Sequence, residues 1–537
     1  SQQIPPVPQP WLPPLNERMT LQELEPIQPQ EAWEQKKPVS VLLGMADIPQ
    51  AQKQEPVSVN LSKDGHILLY GSPGTGKTTF LQSAAMDLAR KFSPKDVTLY
   101  LMDFGTNGLA PLGQLPQVAD TLLLDQTEKI AKFVRIMERE LNRRKKLLSD
   151  YGVGTLELYR QASGQQEPAI VILLDSYESM KEEVYEAELF KLLVRISREG
   201  LSIGVHLLVT AGRQSNLRAQ FYANFKHQLS LPQNDVGEVR SIVGSTPLAK
   251  TMEDIKGRAL MKRDEVDVIQ LALPVAGAND AQVLNNLRQE VASLQEAWTG
   301  QRPSAIPMVP EELTEADFYS RADVQELLSQ EIVPLGLDME TVNPMGWNLK
   351  QGSFVYVANS EEQMRTMTKQ FSIVSSKINT NIYVIAPKYN LIPDFDGYTI
   401  ISDPENVKDF IEAVELLVSE RMEDRENDLH TIIVLYDMST LVGDLNHQLL
   451  DSLANIIKNG HKVGYPVFVE TDNQLSKKID YASKMVLRIK NGLVGLRLND
   501  QHVVDVLSRP LREGALDEQT HYFVSHGQVN KVKVLME

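Results

Sequence analysis

The sequence predicts an α/β protein in which one fold occurs twice in tandem. Over residues 39–275, short apolar segments alternate with longer segments of helical spacing, a pattern typical of a parallel sheet covered by helices on both faces. The same succession begins again after residue 313. At 537 residues the chain also exceeds the roughly 250–300 residues at which a single core stops growing.

These observations divide the chain into four predicted regions. Residues 1–38 are rich in proline, which favours an extended connector that lies over a neighbouring surface. Residues 39–275 form the first domain and residues 313–537 form the second. Between them, residues 276–312 hold an amphipathic helix and a second proline-containing connector.

Composition and charge exclude several classes of protein. The chain has no cysteine, so disulfides and thiolate metal sites are excluded. Its formal net charge of −17 argues against an extensive sequence-independent grip on nucleic acid. The sequence contains no apolar run long enough to span a bilayer. Because the chain starts at Ser1 without a methionine, we expect a piece of a longer polypeptide, with any membrane anchor outside this sequence.

The elements of the first domain follow from its apolar periodicity. Short runs of apolar residues predict strands, and apolar positions three or four apart predict helices. The predicted strands are 39–44, 57–61, 67–70, 98–103, 120–124, 169–175 and 205–210, with a closing hairpin of 257–262 and 266–271. The predicted helices include 127–148, 184–198 and 278–298.

The stretch after the strand at 67–70 predicts a phosphate-binding loop. Gly71, Gly76, Lys77 and Thr78 satisfy the spacing G-x-x-x-x-G-K-[ST] between a strand and a helix. Glycines let several backbone N–H groups point at one anion, and the helix adds its positive dipole end. Lys77 is expected to reach the β- and γ-phosphates, and the Thr78 hydroxyl to ligate Mg²⁺. We therefore predict that ATP and Mg²⁺ bind at Gly71, Ser72, Pro73, Gly74, Thr75, Gly76, Lys77, Thr78 and Thr79.

An acid at the end of a later strand completes the predicted metal site. Asp175 ends the strand 169–175, and the carboxyl ends of parallel strands border the ligand crevice. In many phosphate-loop ATPases a glutamate follows this aspartate and polarises the attacking water, but here the next residue is Ser176, a weaker base. This difference predicts slow intrinsic hydrolysis. Glu178 is the candidate substitute if the strand end bends, and is otherwise an exposed acid at a helix start.

Threonine and arginine side chains supply further candidates. Thr210 and Arg213 lie at the end of the next strand and are candidates for sensing the γ-phosphate. Arg195 or Arg198 is either an arginine finger for a neighbouring subunit's nucleotide or part of a solvated helix face. A basic run on the helix 127–148 alternates with acids and lacks an aromatic platform, so we interpret it as a solvated face rather than a nucleic-acid patch: Arg139, Arg143, Arg144, Lys145 and Lys146.

The second domain repeats the succession of strands and helices of the first. The segment 431–437 echoes the strand that ends at Asp175, so Asp437 is predicted at the equivalent position. The segment 456–464 matches 196–204 with both glycines in register. Further echoes of first-domain elements lie at 333–336, 353–358, 407–418, 522–524 and 529–534.

The phosphate loop is not repeated. Residues 358–365, at its expected place, contain neither the glycines nor the lysine. Glu361 and Glu362 would repel a triphosphate there. We therefore predict that the second domain keeps the fold without the nucleotide chemistry and offers a docking or regulatory surface.

Three stretches resemble FtsK/SpoIIIE-type motor ATPases. They are residues 137–159, residues 197–213 and Asp103-Phe-Gly-Thr-Asn-Gly-Leu109, the last of which resembles the secretion branch of that family. The tandem arrangement with a degenerate last copy is similar to the ATPases of type VII (ESX-like) secretion. Two departures, Ser176 in place of the usual glutamate and Gly212 where DNA-pumping relatives have glutamine, put robust autonomous hydrolysis in question.

The resemblance implies two tandem RecA-like P-loop NTPase domains, the second with a degenerate nucleotide site. It implies assembly as a homo-hexamer, on the cytoplasmic side of a membrane-anchored bacterial protein. It also implies partners: small helical-hairpin secretion substrates with a WxG motif and a C-terminal export signal, and other membrane components of the secretion system.

Three functional hypotheses follow. The leading one is a protein-secretion motor, with ATP bound and hydrolysed in the first domain and a substrate or partner docked on the second. The alternatives are an FtsK-like DNA translocase, against which the acidic net charge argues, and a nucleotide-gated assembly scaffold with little hydrolysis, which Ser176 would suit.

Overall fold

Two units of the same topology make up the chain, residues 1–306 and residues 307–537. The computed structural model describes residues 12–389, 392 and 395–535. Each unit is built on one mixed sheet of ten described strands, so the predicted α/β class and its tandem repetition are confirmed. Within the described ranges, none of the helices combines the length and apolar character needed to cross a bilayer.

The sheet of the first unit has a parallel core and an antiparallel edge. Its strands are β1 (Ser40–Ile48), β2 (Lys53–Asn60), β3 (Ile67–Tyr70), β4 (Val97–Asp103), β5 (Val118–Leu123), β6 (Ala169–Asp175), β7 (Val205–Ala211), β8 (His227–Ser230), β9 (Arg258–Lys262) and β10 (Val266–Leu271). From edge to edge their order is β2-β1-β10-β9-β8-β3-β7-β6-β4-β5. The strands from β8 to β5 are parallel, and β2, β1, β10 and β9 pair antiparallel.

The central strands are covered on both faces. Every residue of β3, β6 and β7 is buried, as expected for apolar parallel strands between two helical layers. Because these strands run in the same direction, their carboxyl ends meet at one edge of the sheet, where ligands bind in open α/β folds. The helices are α1 (Leu21–Leu24), α2 (Pro29–Ala32), α3 (Leu61–Asp64), α4 (Lys77–Lys91), α5 (Thr127–Asp150), α6 (Leu156–Ser163), α7 (Glu186–Ile203), α8 (Ala219–Tyr222), α9 (Val236–Val243) and α10 (Asp280–Ala297).

The second unit repeats this topology strand for strand. Its strands are β11 (Ile332–Asp338), β12 (Pro344–Asn348), β13 (Phe354–Val357), β14 (Asn381–Ile385), β15 (Thr399–Ile401), β16 (Thr431–Leu435), β17 (Val467–Thr471), β18 (Asn491–Val494), β19 (Thr520–Ser525) and β20 (Gln528–Lys533). Their order is β12-β11-β20-β19-β18-β13-β17-β16-β14-β15, which is the order of the first sheet shifted by ten. Its helices are α11 (Glu315–Ser320), α12 (Ala322–Ser329), α13 (Glu361–Ile378), α14 (Pro404–Asp424), α15 (Met438–Leu441), α16 (His447–Asn459) and α17 (Tyr481–Val486).

Both units have the same close backbone contact at an equivalent glycine, Gly200 in the first and Gly460 in the second. A Cβ at Gly200 would lie 2.1 Å from the carbonyl oxygen of Val205, and a Cβ at Gly460 would lie 2.2 Å from that of Tyr465. Each glycine therefore lets a helix end lie directly against the start of the next chain segment. The predicted register between these two segments agrees with the structure.

Both predicted connectors contribute to the first unit. Residues 1–11 of the N-terminal connector lie outside the described residues, and in its remainder α1 and α2 interrupt the predicted extended chain. At the other end, Arg90 of α4 donates from Nε and Nη2 to the carboxylate of Glu290 in α10. The helix predicted to belong to a linker thus packs on the first unit, which extends to Ile306.

Candidate functional site

The loop between β3 and α4 forms an anion cradle. The backbone N–H groups of Gly74, Gly76, Lys77, Thr78 and Thr79 donate to no acceptor among the described residues. Gly74 and Gly76 have φ angles of 79° and 112°, a left-handed conformation that glycine adopts without strain. No side chain caps α4, so its positive end remains open toward the loop. This arrangement fits the phosphates of a nucleotide.

Lys77 is folded back over this loop. Its Nζ donates to the carbonyl oxygens of Gly71, at 2.7 Å, and Ser72, at 3.0 Å. Burial lowers the pKa of Lys77, and the nearby carboxylates of Glu178 and Asp175 oppose that shift. The ammonium group is therefore held at the rim of the cradle, facing two acids.

Asp175, at the end of β6, connects the phosphate loop to β7. Its Oδ2 accepts a hydrogen bond from the Thr78 hydroxyl at 2.7 Å, and its Oδ1 accepts one from the Thr210 hydroxyl at 2.6 Å. The Thr210 oxygen also accepts the N–H of Ser176 at 2.9 Å. Thr210, a candidate for sensing the γ-phosphate, is buried, and its hydroxyl donates to Asp175 and accepts from the Ser176 N–H.

The pair of Thr78 and Asp175 fits a magnesium ion shared with phosphates. Mg²⁺ prefers oxygen ligands and usually binds through one or two protein groups together with substrate phosphates. A hydroxyl and a carboxylate oxygen, 2.7 Å apart beside the cradle, supply such a pair. No cluster of three or more His, Cys, Asp or Glu able to hold a metal occurs in the part of the chain that the structure describes.

The chain bends after Asp175 and brings Glu178 toward the cradle. Ser176 has a φ angle of 62°, and a 3-10 turn follows over Tyr177–Met180. The Oε2 atom of Glu178 is buried and has no hydrogen-bond partner among the described residues. The sequence analysis made Glu178 a candidate only if the chain bends after the strand. The structure has that bend.

The arginine candidates differ in their surroundings. Arg213 is exposed, and in the described chain its guanidinium has no hydrogen-bond or ion-pair partner. Arg195 forms ion pairs with Glu138 and Glu199 of its own unit, whereas Arg198 is exposed on α7. Of the two arginines on that helix, only Arg198 is exposed and without an ion pair among the described residues.

The basic run on α5 is only in part the solvated face that was predicted. Arg143, Lys145 and Lys146 are exposed, and each is paired with a carboxylate. Arg144 instead is 1% exposed and donates to the carbonyl oxygen of Ile203 at 3.0 Å. The prediction is wrong for Arg144, because its long side chain satisfies backbone acceptors at the end of α7.

A cavity of about 660 Å³ adjoins the cradle. Its walls include Thr79 and Phe80 from the first turn of α4, Lys256 and Gly257 from the segment before β9, and Arg18 from the connector. This volume lies within the roughly 300–1,000 Å³ typical of small-molecule pockets. The space beside the phosphate cradle is therefore large enough for a nucleoside.

Asp103 is an acid at this edge that the sequence did not assign to the site. It ends β4, pairs in register with Asp175 and is 3% exposed. Its Oδ2 accepts the N–H of Leu109 at 3.0 Å. Burial raises the pKa of Asp103, and the charge of Asp175 adds to that rise. The sequence does show that Asp103, like Asp175, ends an apolar strand. It does not show that these two strands are neighbours in the sheet.

The predicted equivalence of Asp437 and Asp175 is wrong by one residue. The pairing of β16 with β17, compared with that of β6 with β7, aligns Tyr436 with Asp175. Asp437 has a φ angle of 46° and so corresponds to Ser176, whose φ is 62°. The acid of the second unit thus lies beyond the strand, in the left-handed turn. There it is the N-cap residue of α15.

The start of α13 is closed where the start of α4 is open. Only three residues separate β13 from α13, against six between β3 and α4. Ser360 caps α13 by accepting the N–H of Gln363, and the Gln363 side chain in turn accepts the N–H of Asn359 at 2.8 Å. These N–H groups are therefore satisfied within the chain.

A closed polar core occupies the place of the metal-binding pair in the second unit. Glu470, aligned with Thr210, is fully buried. Its Oε2 accepts the Thr368 hydroxyl at 2.6 Å, and its Oε1 has no partner among the described residues. Burial raises the pKa of Glu470 well above its ordinary value. Tyr436, at the place of Asp175, has no carboxylate.

Replacing Glu470 by glutamine is expected to make the protein relatively more stable as the pH rises. Because burial raises the pKa of Glu470, the folded state keeps this proton to higher pH than the unfolded chain, which loses it near the ordinary pKa of 4.5. Above that pH the folded state binds more protons than the unfolded one, so wild-type stability falls by up to about 1.4 kcal/mol per pH unit until the folded-state pKa is reached. Glutamine cannot ionise and escapes this loss.

Thermal unfolding of the whole chain between pH 4.5 and pH 8 measures this effect. The difference between Glu470→Gln and wild type should widen with pH, and the exposed change Glu420→Gln should show no such trend. Parallel pH profiles for Glu470→Gln and wild type would show that Glu470 ionises in the folded protein.

The fold and the site define a P-loop nucleotide-binding protein of the α/β class. Its marks are a parallel core, an open cradle between a strand and a helix, and a hydroxyl–carboxylate pair formed by Thr78 of α4 and Asp175 at the end of β6. Residues 24–261 match the model of the FtsK/SpoIIIE family. This part of the chain is therefore similar to FtsK/SpoIIIE-family ATPase domains, in agreement with the resemblance read from the sequence.

Similarity to individual proteins extends over nearly the whole chain. The type VII secretion system protein EssC of Staphylococcus aureus (strain MSSA476) is 30% identical over 544 residues, an alignment that covers 98% of this chain and 36% of that protein. The chain thus spans about a third of the length of this relative.

Two solved structures are similar in fold. EssC (ATPases 2 and 3) from Geobacillus thermodenitrificans superposes with a TM-score of 0.85 at 25% identity, covering 98% of this chain and 99% of that one. EccC (ATPases 2 and 3) from Thermomonospora curvata, solved in complex with a signal sequence peptide, has a TM-score of 0.60 at 19% identity and covers 98% of this chain and all of that one.

Proposed function

We propose that this chain is the motor module of a type VII protein-secretion ATPase. In this proposal the first unit binds and hydrolyses Mg-ATP, and the second serves substrate or partner docking, or regulation. The observation that carries it is the asymmetry at equivalent strand ends. In the second unit a capped helix replaces the open cradle, and the buried Glu470, whose Oε2 accepts the Thr368 hydroxyl, replaces the Thr78–Asp175 pair.

In the first unit, ATP is placed with its phosphates in the cradle and its base and ribose in the adjoining cavity of about 660 Å³. Lys77 pairs with the β- and γ-phosphates once it exchanges its carbonyl acceptors for them. Thr78 and Asp175 would hold Mg²⁺, which would supply positive charge beside the phosphates. Arg213, exposed at the end of β7, is the proposed γ-phosphate contact.

Glu178 is the proposed general base. Its buried and unpartnered oxygen and its position near Lys77 support a role in orienting and deprotonating the attacking water. Because Glu178 follows a bend instead of sitting directly after Asp175, we expect slow intrinsic turnover that rises when the site is completed by a neighbouring subunit.

The second unit is proposed to bind a partner rather than a nucleotide. The EccC structure solved with a signal sequence peptide contains the corresponding pair of ATPases, and this supports an analogous role for an export signal here. The substrates would be small helical-hairpin proteins with a WxG motif. The partners would be further copies of this chain, in a homo-hexamer, and other membrane components of the secretion system.

The same proposal places the chain on the cytoplasmic side of a membrane-anchored bacterial protein. It rests on the similarity to EssC, of which the chain matches about a third. Two alternative functions make different predictions. A DNA translocase would show DNA-stimulated hydrolysis that weakens with salt, and a nucleotide-gated scaffold would bind ATP with scarcely any turnover.

Turnover by the assembled oligomer, with and without an export substrate, tests the proposal. We expect substrate-stimulated hydrolysis at a stoichiometry of one bound ATP per chain. Two nucleotides bound per chain would refute the division of labour between the units. Turnover that stays negligible with substrate would favour the scaffold, and stimulation by DNA alone would favour the translocase.

A further inference from the structure

We infer that Asp103 is a positioning residue of the magnesium site, with its Oδ1 facing the hydration shell of the cation as a hydrogen-bond acceptor. The inference rests on the proposed Mg-ATP site of the first unit. It adds a second acid to that site, at the strand end beside Asp175.

The two oxygens of Asp103 have different surroundings. Oδ2 accepts the N–H of Leu109 at 3.0 Å and so fixes the loop that follows β4. Oδ1 is buried and has no hydrogen-bond partner among the described residues. A buried carboxylate oxygen without a partner is costly, and in native structures it usually marks a bound ion or water. The N–H groups of Gly105 and Asn107 in the same loop also lower the pKa of Asp103, but the hydrogen bond from Leu109 goes to Oδ2.

The unpartnered oxygen faces the same small space as the metal-binding pair. A Cβ placed on Gly105 would lie 3.1 Å from Asp175 Oδ2, 3.2 Å from Ser176 Oγ and 3.8 Å from Asp103 Oδ1. Asp175 Oδ2 is also the atom that accepts the Thr78 hydroxyl. Three oxygens from two strand ends thus surround one point, and the absence of a side chain at Gly105 keeps that point open.

The loop after β4 also lies directly on the phosphate-loop helix. A Cβ on Gly108 would come within 2.2 Å of Thr78 Cγ2, and the Gln82 side chain donates to the Gly108 carbonyl at 2.7 Å. This contact fixes Asp103 relative to Thr78. Two neighbouring buried carboxylates repel each other, and a divalent cation beside them removes that repulsion. The geometry is thus suited to a cation of charge +2.

The test compares Asp103→Asn with wild type and with Asp96→Asn, a matched change at the opposite end of β4. Binding of a fluorescent ATP analogue is titrated with Mg²⁺ and repeated in EDTA, and thermal unfolding is followed without nucleotide. For Asp103→Asn we expect the half-saturating Mg²⁺ concentration to rise about tenfold, as for loss of one charge-assisted hydrogen bond. Affinity in EDTA and the unfolding temperature should not fall, and Asp96→Asn should match wild type.

A second variant keeps the inference testable if Asp103→Asn does not fold. Gly105→Ala leaves Asp103 and its bond to Leu109 in place but fills the space between the oxygens, so the same rise in half-saturating Mg²⁺ is expected. An unchanged Mg²⁺ dependence in both variants would overturn the inference. An equal loss of affinity with and without Mg²⁺ would also overturn it, since the loop would then act only structurally. If wild type itself bound no nucleotide, the proposed function would fail first.

Discussion

Lys77→Ala is expected to abolish Mg-ATP binding by the whole chain. The Lys77 ammonium lies over the cradle and has only carbonyl oxygens as acceptors, so phosphate oxygens are its natural partners. Loss of two charge-assisted hydrogen bonds, at about 1.5–3 kcal/mol each, weakens binding by at least about 100-fold. The second unit is not expected to compensate, because the start of α13 is capped and shielded by two acids.

Isothermal titration of the full chain with Mg-ATP measures this loss. Lys63→Ala, at an exposed lysine of the same unit, is the matched control and should bind like wild type. Unfolding temperatures of the two variants in the absence of nucleotide check that the fold is intact. Residual saturable binding in Lys77→Ala, near wild-type affinity, would locate a nucleotide site in the second unit and contradict the proposed asymmetry.

The local structure of the site, which depends on residues close together in the sequence, was predicted correctly. The loop after β3 is found between a strand and a helix because the spacing of Gly71, Gly76 and Lys77 encodes that backbone locally. The parallel core followed from continuous apolar runs, which are needed when both faces of a strand are buried. These features need only neighbouring residues, so a single sequence suffices to find them.

The parts that depend on strand pairing were missed or shifted. The sequence comparison made Asp437 the equivalent of Asp175, whereas the strand pairing makes Tyr436 the equivalent residue. A shift of one residue in register changes which side chain faces the site. Asp103 became a site residue only when β4 was found paired with β6. The hydrogen bonds of Thr210 to Asp175 and the Ser176 N–H were also missed, because these partners lie on another strand end.

The sequence also did not show which arginine side chain on α5 is buried. Arg144 lies between residues that are exposed and paired with acids, yet it is buried against the carbonyl of Ile203. The helical period places it on the inner side, but the acceptor comes from the end of α7, about sixty residues away along the chain. A long charged side chain is buried only where such acceptors exist, and these are a property of the fold.

Glu178→Gln is expected to reduce turnover by about 10²–10⁴-fold, the range typical of a lost general base, while ATP remains bound. The reason lies in the bend at Ser176, which directs Glu178 toward the cradle with one oxygen buried and unpartnered. Glutamine keeps the shape and cannot accept a proton. Because the change removes a negative charge near Lys77, ATP affinity should stay the same or rise slightly.

Steady-state hydrolysis and titration of ATP on the same preparation separate these two effects. Glu188→Gln, at an exposed acid of α7, is the matched control and should turn over like wild type. Ser176→Glu in the Glu178→Gln background is not expected to restore activity, because Ser176 has a left-handed backbone and its Oγ lies 3.2 Å from where a Cβ of Gly105 would stand. A longer side chain there is strained and faces the loop after β4. Full activity in Glu178→Gln would mean that another group activates the water, and restored activity in the double variant would place the base directly after Asp175.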